Sequence, residues 1–383
     1  MKIVLAPDKF KGSLSARQAC AAMERGVRRV WPDAEIVSIP LADGGEGTIE
    51  AMVASTGGRC VEVTVTGPLG QPVRAQFGIL GDGQTAVIEM AQASGLWLVP
   101  EQDRNPLKTT SFGTGELIKA AVSAGFRNLI VAIGGSATTD CGSGMAQALG
   151  VRFIDQDGRP MEGFMTAERM GQVRSVDLSC LLPALRDCSI TVACDVANPL
   201  LGPDGAVMVY APQKGAKPEQ LGPLESGMKN IIDVMESATG RRVRDLPGAG
   251  AAGGLGAALM TLFGAIQRPG IEIVLEAVAF RQRIRGADLL LSGEGKVDDQ
   301  TAFGKTISGV LRAARQEGVP VIILAGSIDD NAESLYREGA VSMFSICTKP
   351  MTLSEAMARA DILLETTTER VARILKHGGL VCR

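Results

Sequence analysis

Four apolar runs end in carboxylates and glycines. Ile3-Val4-Leu5 leads to Asp8-Lys9-Phe10-Lys11-Gly12-Ser13, and Ile36-Val37-Ser38-Ile39 leads to Asp43-Gly44-Gly45-Glu46. Ile190-Thr191-Val192 leads to Asp195, and Leu289-Leu290-Leu291 leads to Gly293-Glu294-Gly295-Lys296-Val297-Asp298. Carboxylates with few histidine or cysteine partners suit Mg²⁺, a hard ion that takes one or two carboxylates and leaves its other positions to water and substrate phosphates. Lys9, Lys11 and Lys296 stand beside these acids and could neutralise phosphate charge, as phosphoryl transfer requires. Asp195 could act as general base toward a substrate hydroxyl. Plainer readings stand next to each of these: a helix cap or turn for the acids, a solvated surface for Lys9, and a turn acid capped by Asn198 for Asp195.

The glycine loops carry the second signal. Gly134-Gly135-Ser136-Ala137-Thr138-Thr139-Asp140-Cys141-Gly142-Ser143-Gly144 lies between an apolar run at 128–133 and a helical pattern from Met145. Glycines bring backbone N–H groups close to a ligand and the helix start favours an anion, so phosphate or carboxylate binding is expected there, with a simple strand-to-helix turn as the alternative. Gly248-Ala249-Gly250-Ala251-Ala252-Gly253 fits the dinucleotide fingerprint, but Asp245-Leu246-Pro247 before it does not read as a strand. It is expected to be a phosphate loop opening a helix at 253–264, with Gly250, Gly253 and Gly254 near the ligand, and not a Rossmann NAD site. Gly304-Lys305-Thr306 resembles the end of a P-loop, yet position 299 is Asp where that motif needs glycine. The Gly134 loop also lacks the second glycine of a hydrolase nucleophile elbow.

Composition narrows the ligand class. With 383 residues, 45% hydrophobic and 21% charged, the chain has room for two domains. A net charge of -3 offers nothing to nucleic acid or anionic lipid, and aromatic residues at 4% are too few for base-stacking platforms, so a small-molecule ligand is expected. His377 is the single histidine and lies near the C-terminus, which excludes most histidine-based triads, metal sites and general bases. The eight cysteines are scattered with no Cys-x-x-Cys pair, and no run approaches a membrane span, so a cytoplasmic setting is expected.

These residues need elements to hold them. A strand at 3–6, a helix over 15–30 and a strand at 35–39 make a βαβ opening. Runs at 60–65, 73–79 and 85–90, separated by Gly-Pro and Gly-Asp-Gly turns, read as an antiparallel meander that starts a second domain. That domain carries strands at 128–133 and 189–194 and helices near 114–124, 144–149, 218–237 and 253–264. From Gly286 the βα rhythm resumes, with strands at 287–291, 319–325 and 341–347 and a final long helix over 354–375. The expected fold is α/β: residues 1–59 and 278–383 form a flavodoxin-like doubly wound parallel sheet, and 60–277 form an inserted α/β domain with a mixed sheet.

With these motifs laid out, the chain resembles the bacterial glycerate kinase family nearly end to end. The resemblance rests on Ala6-Pro7-Asp8-Lys9-Phe10-Lys11-Gly12-Ser13, Ala42-Asp43-Gly44-Gly45-Glu46-Gly47-Thr48 and Thr110-Ser111-Phe112-Gly113-Thr114-Gly115-Glu116. Ile133 to Thr138, Ala193-Cys194-Asp195-Val196, Pro212-Gln213-Lys214-Gly215-Ala216, Gly248 to Gly256 and Ser292-Gly293-Glu294-Gly295 complete it. It implies an ATP- and Mg²⁺-dependent kinase acting on D-glycerate, between glyoxylate or sugar acids and glycolysis. The 2-phosphoglycerate product is favoured on closeness of match, with 3-phosphoglycerate as the alternative. On this reading Asp195, Lys11 and Asp8 are catalytic, and Mg²⁺ is held by some of Asp43, Glu46 and Glu294. Lys9, Ser13, Gly134, Gly135, Ser136, Thr138, Gly250, Gly253, Gly254, Gly293, Gly295 and Lys296 bind substrate or nucleotide. A homodimer stays open. The chain departs from the family at Cys141, at Lys296 where arginine is usual, and at Met161-Glu162-Gly163-Phe164-Met165. An NAD-dependent hydroxy-acid oxidoreductase or a non-catalytic ligand sensor are the rival readings.

Overall fold

The computed structural model describes residues 1–298 and 306–378. The Gly304-Lys305 part of the P-loop-like tripeptide therefore lies outside the described residues, as does Cys382. Two compact units divide the chain. The first comprises Met1–Asp43, Glu50–Gly57 and the described residues from Pro269 onward, and the second comprises Gly44–Ile49 and Gly58–Arg268.

The first unit is built on five parallel strands in the order Ala340–Ser345, Val321–Ile328, Leu289–Val297, Lys2–Leu5, Glu35–Ser38. Taken in chain order this is the 2-1-3-4-5 arrangement of a flavodoxin-like sheet, in which ligands sit beyond the carboxyl ends of the strands. Ile3, Val4 and Leu5 are all fully buried, as expected of a central strand covered on both faces by helices. Helix Ala16–Arg28 starts at Ser15, whose hydroxyl accepts from the Gln18 N–H while the Gln18 side chain returns the bond. Its buried face, Ala19, Ala22, Met23 and Val27, shares a core with Leu363, Leu364 and Val371 of the C-terminal helix. Gly26 lets those two backbones meet, since a Cβ there would stand 2.5 Å from the Glu365 carbonyl.

Three expectations for this unit are corrected. The strand predicted to end at Leu291 runs on to Val297, so Gly293-Glu294-Gly295 lies in the ladder, with Gly293 opposite Leu324 and Glu294 opposite Ala325. A Cβ on Gly293 would come within 1.9 Å of the Leu324 carbonyl, and glycine is what permits the pairing to continue. The single helix expected over 354–375 is two, Leu353–Ala358 and Ala360–His377, separated at Arg359 where φ is -116°. Residues 269–277, expected in the inserted domain, form the helix Gly270–Ala277 of the first unit, where Ile271 packs on Gly309.

The second unit holds a six-stranded mixed sheet in the order Ile266–Arg268, Ser189–Ala193, Asn128–Ala132, Thr85–Glu89, Pro72–Ile79, Arg59–Thr66. The meander supplies its antiparallel half, and Thr85–Glu89 onward is parallel. Glu89, buried at the end of its strand, accepts from the Ile49 N–H at 2.6 Å, a reason why residues 44–49 belong with this unit. The segment near 160 is anchored at its end: Met165 is fully buried and its N–H donates to Gln147 Oε1 at 2.9 Å, while the exposed Phe164 lies on Phe112 with ring centroids 5.0 Å apart.

Candidate functional site

In the first unit the chain leaves strand Lys2–Leu5 alongside the neighbouring strand. Ala6 N–H donates to the Leu291 carbonyl and Asp8 N–H to the Gly293 carbonyl, both at 2.8 Å, while Ser292 Oγ donates to the Ala6 carbonyl. These bonds deliver Asp8 to the carboxyl end of the sheet, 6% exposed. Its Oδ1 accepts from the Lys9 N–H at 2.6 Å and its Oδ2 from the hydroxyl of Thr306, the first residue of helix Thr306–Glu317, at 2.5 Å. Burial first and the charge of Asp43 second push the Asp8 carboxyl up to about 6, against the pull of those donors and of the Lys9 charge.

Among the described residues no group of three or more His, Cys, Asp or Glu side chains could hold a metal ion. A closed zinc-type site is thereby absent from them. Mg²⁺ asks for less, since one or two carboxylates suffice when water and phosphates complete its shell. Lys11 is exposed on the turn after Phe10, where Gly12 has φ +73°, and a Cβ on Gly295 would stand 3.1 Å from the Lys11 nitrogen.

In the second unit two glycine segments interlock. Cys141 N–H donates to the Gly253 carbonyl at 2.9 Å, a Cβ on Gly253 would lie 2.1 Å from the Thr138 carbonyl, and one on Gly254 would lie 2.9 Å from Cys141 Cα. Ala252, Gly253 and Gly254 all have positive φ, at 53°, 65° and 88°. The regular helix therefore begins only after Gly254, and turn instead of strand precedes Gly248. Residues 134 and 135 are exposed, and Gly134 faces Gly45, whose Cα would be 3.1 Å from an added Cβ.

Below the first loop lies a buried polar cluster. Asp140 Oδ2 accepts from the Ser111 N–H at 2.9 Å, the Ser111 hydroxyl at 2.7 Å and the Gly144 N–H at 3.1 Å, and Oδ1 accepts from the Gly142 N–H at 3.2 Å. Burial pushes its carboxyl up from the ordinary range while these four donors pull it back. Lys214, 2% exposed, donates to Ser136 Oγ at 2.7 Å and to the Thr138 carbonyl at 2.5 Å. Burial lowers its ammonium to about 7, partly offset by the negative charge of Asp140.

Over residues 3–376 the chain matches the Glycerate kinase family. It belongs to that family. A glycerate kinase of Bacillus subtilis (strain 168) is 50% identical over 376 residues, 98% of each chain, and a glycerate 2-kinase of Escherichia coli (strain K12) is 48% identical over 378 residues, 99% of each. A crystal structure named for glycerate kinase 2 from Salmonella typhimurium LT2 superposes with a TM-score of 0.89 at 46% identity, covering 99% of each chain.

The family motifs thus sit in two clusters, each within its own unit. Asp8, Lys9, Lys11, Ser13, Asp43, Gly293, Glu294, Gly295 and Lys296 belong to the first, and Glu46, Gly134, Gly135, Ser136, Thr138, Asp195, Gly250, Gly253 and Gly254 to the second. Several have structural employment. Ser13 Oγ donates to the Met357 carbonyl at 2.7 Å, tying down its turn. Lys296 is exposed and pairs with Asp329 at 2.8 Å and Asp298 at 3.6 Å. Gly250 lies against the Pro199 carbonyl, 2.2 Å from where its Cβ would be. Asp195 is exposed beyond strand Ser189–Ala193, and Asn198 gives its amide to the Asp204 carbonyl and accepts from the Tyr210 hydroxyl, so these contacts do not cap Asp195. Cys141, with φ +50°, is fully buried and finds room against Gly254. Sequence reasoning gave no role to Lys214, Asp140, Glu89 or Thr306. Lys214 stood in a quoted family motif, and its flanking Pro and Gly residues were the one available signal.

Proposed function

We propose that the chain transfers the terminal phosphoryl group of ATP to the 2-hydroxyl of D-glycerate, giving 2-phospho-D-glycerate and ADP. The observation that carries this is the end-to-end likeness to a protein named glycerate 2-kinase, 48% identical over 378 residues. In the second unit, the exposed Gly134-Gly135 turn with Ser136 and Thr138, backed by the segment at 248–256 with Gly250, Gly253 and Gly254, is assigned to the nucleotide phosphates. Asp195 is assigned to orient or deprotonate the glycerate hydroxyl. In the first unit, Lys11 with Lys9 offsets phosphate charge. Asp8 and Asp43 would hold Mg²⁺, with Glu294 of the same unit as a further carboxylate, while Glu46 belongs to the second unit. The ion, when bound, neutralises charge on the phosphates. Glu294 is half-buried in its strand and Glu46 is exposed, and Asp8 is added to the carboxylates named from the sequence. The seven described cysteines are free, which supports a reducing, cytoplasmic setting.

Incubation of the purified protein with ATP, Mg²⁺ and D-glycerate, followed by phosphorus NMR, is expected to show 2-phosphoglycerate and ADP. A 3-phosphoglycerate resonance would refute the regiochemistry, and unchanged ATP would refute the reading as a whole. The nicotinamide reading finds no support, since the fingerprint at Gly248 lacks a preceding strand and a continuous helix.

A further inference from the structure

We propose that Lys214 is a positioning residue for phosphoryl transfer: its ammonium clamps Ser136 and the Thr138 carbonyl together and so holds the 134–138 turn in its ligand-presenting shape. The inference rests on the assignment of that turn to the nucleotide phosphates. Burying an ammonium is costly, and an apolar side chain of similar length in the same place is commonly neutral or stabilising. Burial alone is therefore weak evidence that the lysine serves stability, and what it touches points to a role in the loop.

Every residue of the turn after Gly134 is tied from below. Gly135 O accepts from the Leu96 N–H at 2.9 Å, Ala137 N–H donates to the Ser94 carbonyl at 2.9 Å, and Ala137 O accepts from the Thr109 hydroxyl at 3.0 Å. Asp140 anchors the far end through its four donors. Between these fixed points, Ser136 Oγ and Thr138 O are held by Lys214. The side chain reaches them from a tight turn, Pro212–Lys214, that ends at Gly215 with φ +98°. A Cβ on Gly215 would stand 2.3 Å from the Arg104 carbonyl, so the turn carrying the lysine is itself pressed onto the main chain. The ammonium donates to two atoms two residues apart and cannot itself reach a ligand, because it is buried; the exposed surface above it is Gly134 and Gly135. Lys214 therefore acts through the loop. A neutral serine-activating base at the same 2.7 Å distance would instead make Ser136 a nucleophile, and the two roles separate experimentally.

The test uses the full chain and its Lys214→Met, Lys214→Ala and Ser136→Ala variants. ADP release is followed with D-glycerate, and hydrogen exchange with mass spectrometry is followed over 134–140. A misplaced loop is expected to lower kcat/KM by roughly 100-fold in Lys214→Met and Lys214→Ala. Propylammonium added to Lys214→Ala is expected to recover roughly tenfold of that loss and to restore exchange protection at 134–140, which a merely structural filling of the site would not do. Should Lys214→Met fail to fold, the Lys214→Ala rescue decides alone. Ser136→Ala, which keeps the Thr138 bond, is expected to lose less than Lys214→Met. Wild-type kcat/KM in Lys214→Met overturns the proposal, as does a Lys214→Ala loss that propylammonium leaves untouched. A Ser136→Ala loss as deep as that of Lys214→Met, with a phosphorylated Ser136 in the wild type, overturns it in favour of the nucleophile. If the wild type releases no ADP, the kinase reading fails separately, and the exchange protection still reports on the clamp.

Discussion

Replacing Asp140 with alanine should open the loop that it organises, and the size of the effect follows from its bonds. The carboxylate accepts from three backbone N–H groups, those of Ser111, Gly142 and Gly144, and from the Ser111 hydroxyl. The hydroxyl can turn elsewhere, but the N–H groups of Gly142 and Gly144 are fixed by the turn and the start of helix Ser143–Ala148, and that of Ser111 by the start of helix Phe112–Ser123. A buried donor stripped of its partner costs about 1–3 kcal/mol, and a water drawn into the space recovers part of that. Loss of the negative charge also leaves the Lys214 ammonium without its compensating field, although that residue can lose its proton to escape. A cost of about 4 kcal/mol is therefore expected, a large share of the roughly 5–15 kcal/mol available to a folded domain. A global midpoint averages over the whole chain, so hydrogen exchange of a peptide covering 140–146 is the assay that reads this loop directly. At about 1.4 kcal/mol per decade, protection of those amides should fall roughly 1,000-fold. Asp140→Asn keeps one acceptor oxygen but sets an NH₂ against the Gly142 or Gly144 N–H, so it should fall between wild type and alanine. Protection in Asp140→Ala within threefold of wild type would show that the cluster does not hold the loop.

Gly253→Ala should cost well over the roughly 1–2 kcal/mol of a left-handed alanine, because its Cβ would meet the Thr138 carbonyl at 2.1 Å. Gly158→Ala has φ +76° with open space around it and should show only the conformational part, as urea midpoints of the two would reveal. Lys214 is held near 7 in the folded chain against 10.5 for an ordinary lysine, so between those values the unfolded chain binds more protons and stability rises with pH. Below 7 the penalty is fully present; the difference in urea midpoint between wild type and Lys214→Met should therefore shrink from pH 6.5 to pH 9, and a constant difference would refute the shift. Asp195→Asn should lower turnover by roughly 100- to 10,000-fold with the fold intact, and near-full ADP release would remove Asp195 as the base. Lys296→Ala should change kcat/KM by less than about tenfold, since an exposed lysine already paired with Asp329 has little charge to lend, and a larger loss would reinstate it at the phosphates.

The sheet of the first unit was legible because its central strands carry apolar runs, Ile3-Val4-Leu5, Leu289-Leu290-Leu291 and Val321-Ile322-Ile323-Leu324, that alternate with helical stretches, the rhythm of a covered parallel sheet. Its errors came from glycine. Gly293 and Gly295 read as a strand end, yet glycine also permits a ladder to continue where two backbones crowd, and nothing local distinguishes these cases. The site shows the same ambiguity. A glycine that lets backbone approach a phosphate and one that lets backbone approach backbone are written alike. Gly250, Gly253, Gly254 and Gly293 have a carbonyl or Cα within 3 Å of where a Cβ would stand, and packing alone accounts for them. At Gly135 the atom nearest to an added Cβ is 3.7 Å away, and at Gly134 the nearest are backbone atoms of Gly45 and Gly44, at 3.1 Å and beyond. The buried charges were harder still, since their partners lie far along the chain: Lys214 and Ser136 are 78 residues apart, and Asp140 and Ser111 are 29. Hydrophobic periodicity cannot report that a lysine is inside the protein. The two kinds of hidden information converge on one place. Of the glycines that the motifs place at the site in the second unit, Gly134 and Gly135 are the exposed pair, with Gly250, Gly253 and Gly254 packed behind as their support, and theirs is the stretch that Lys214 and Asp140 hold from beneath.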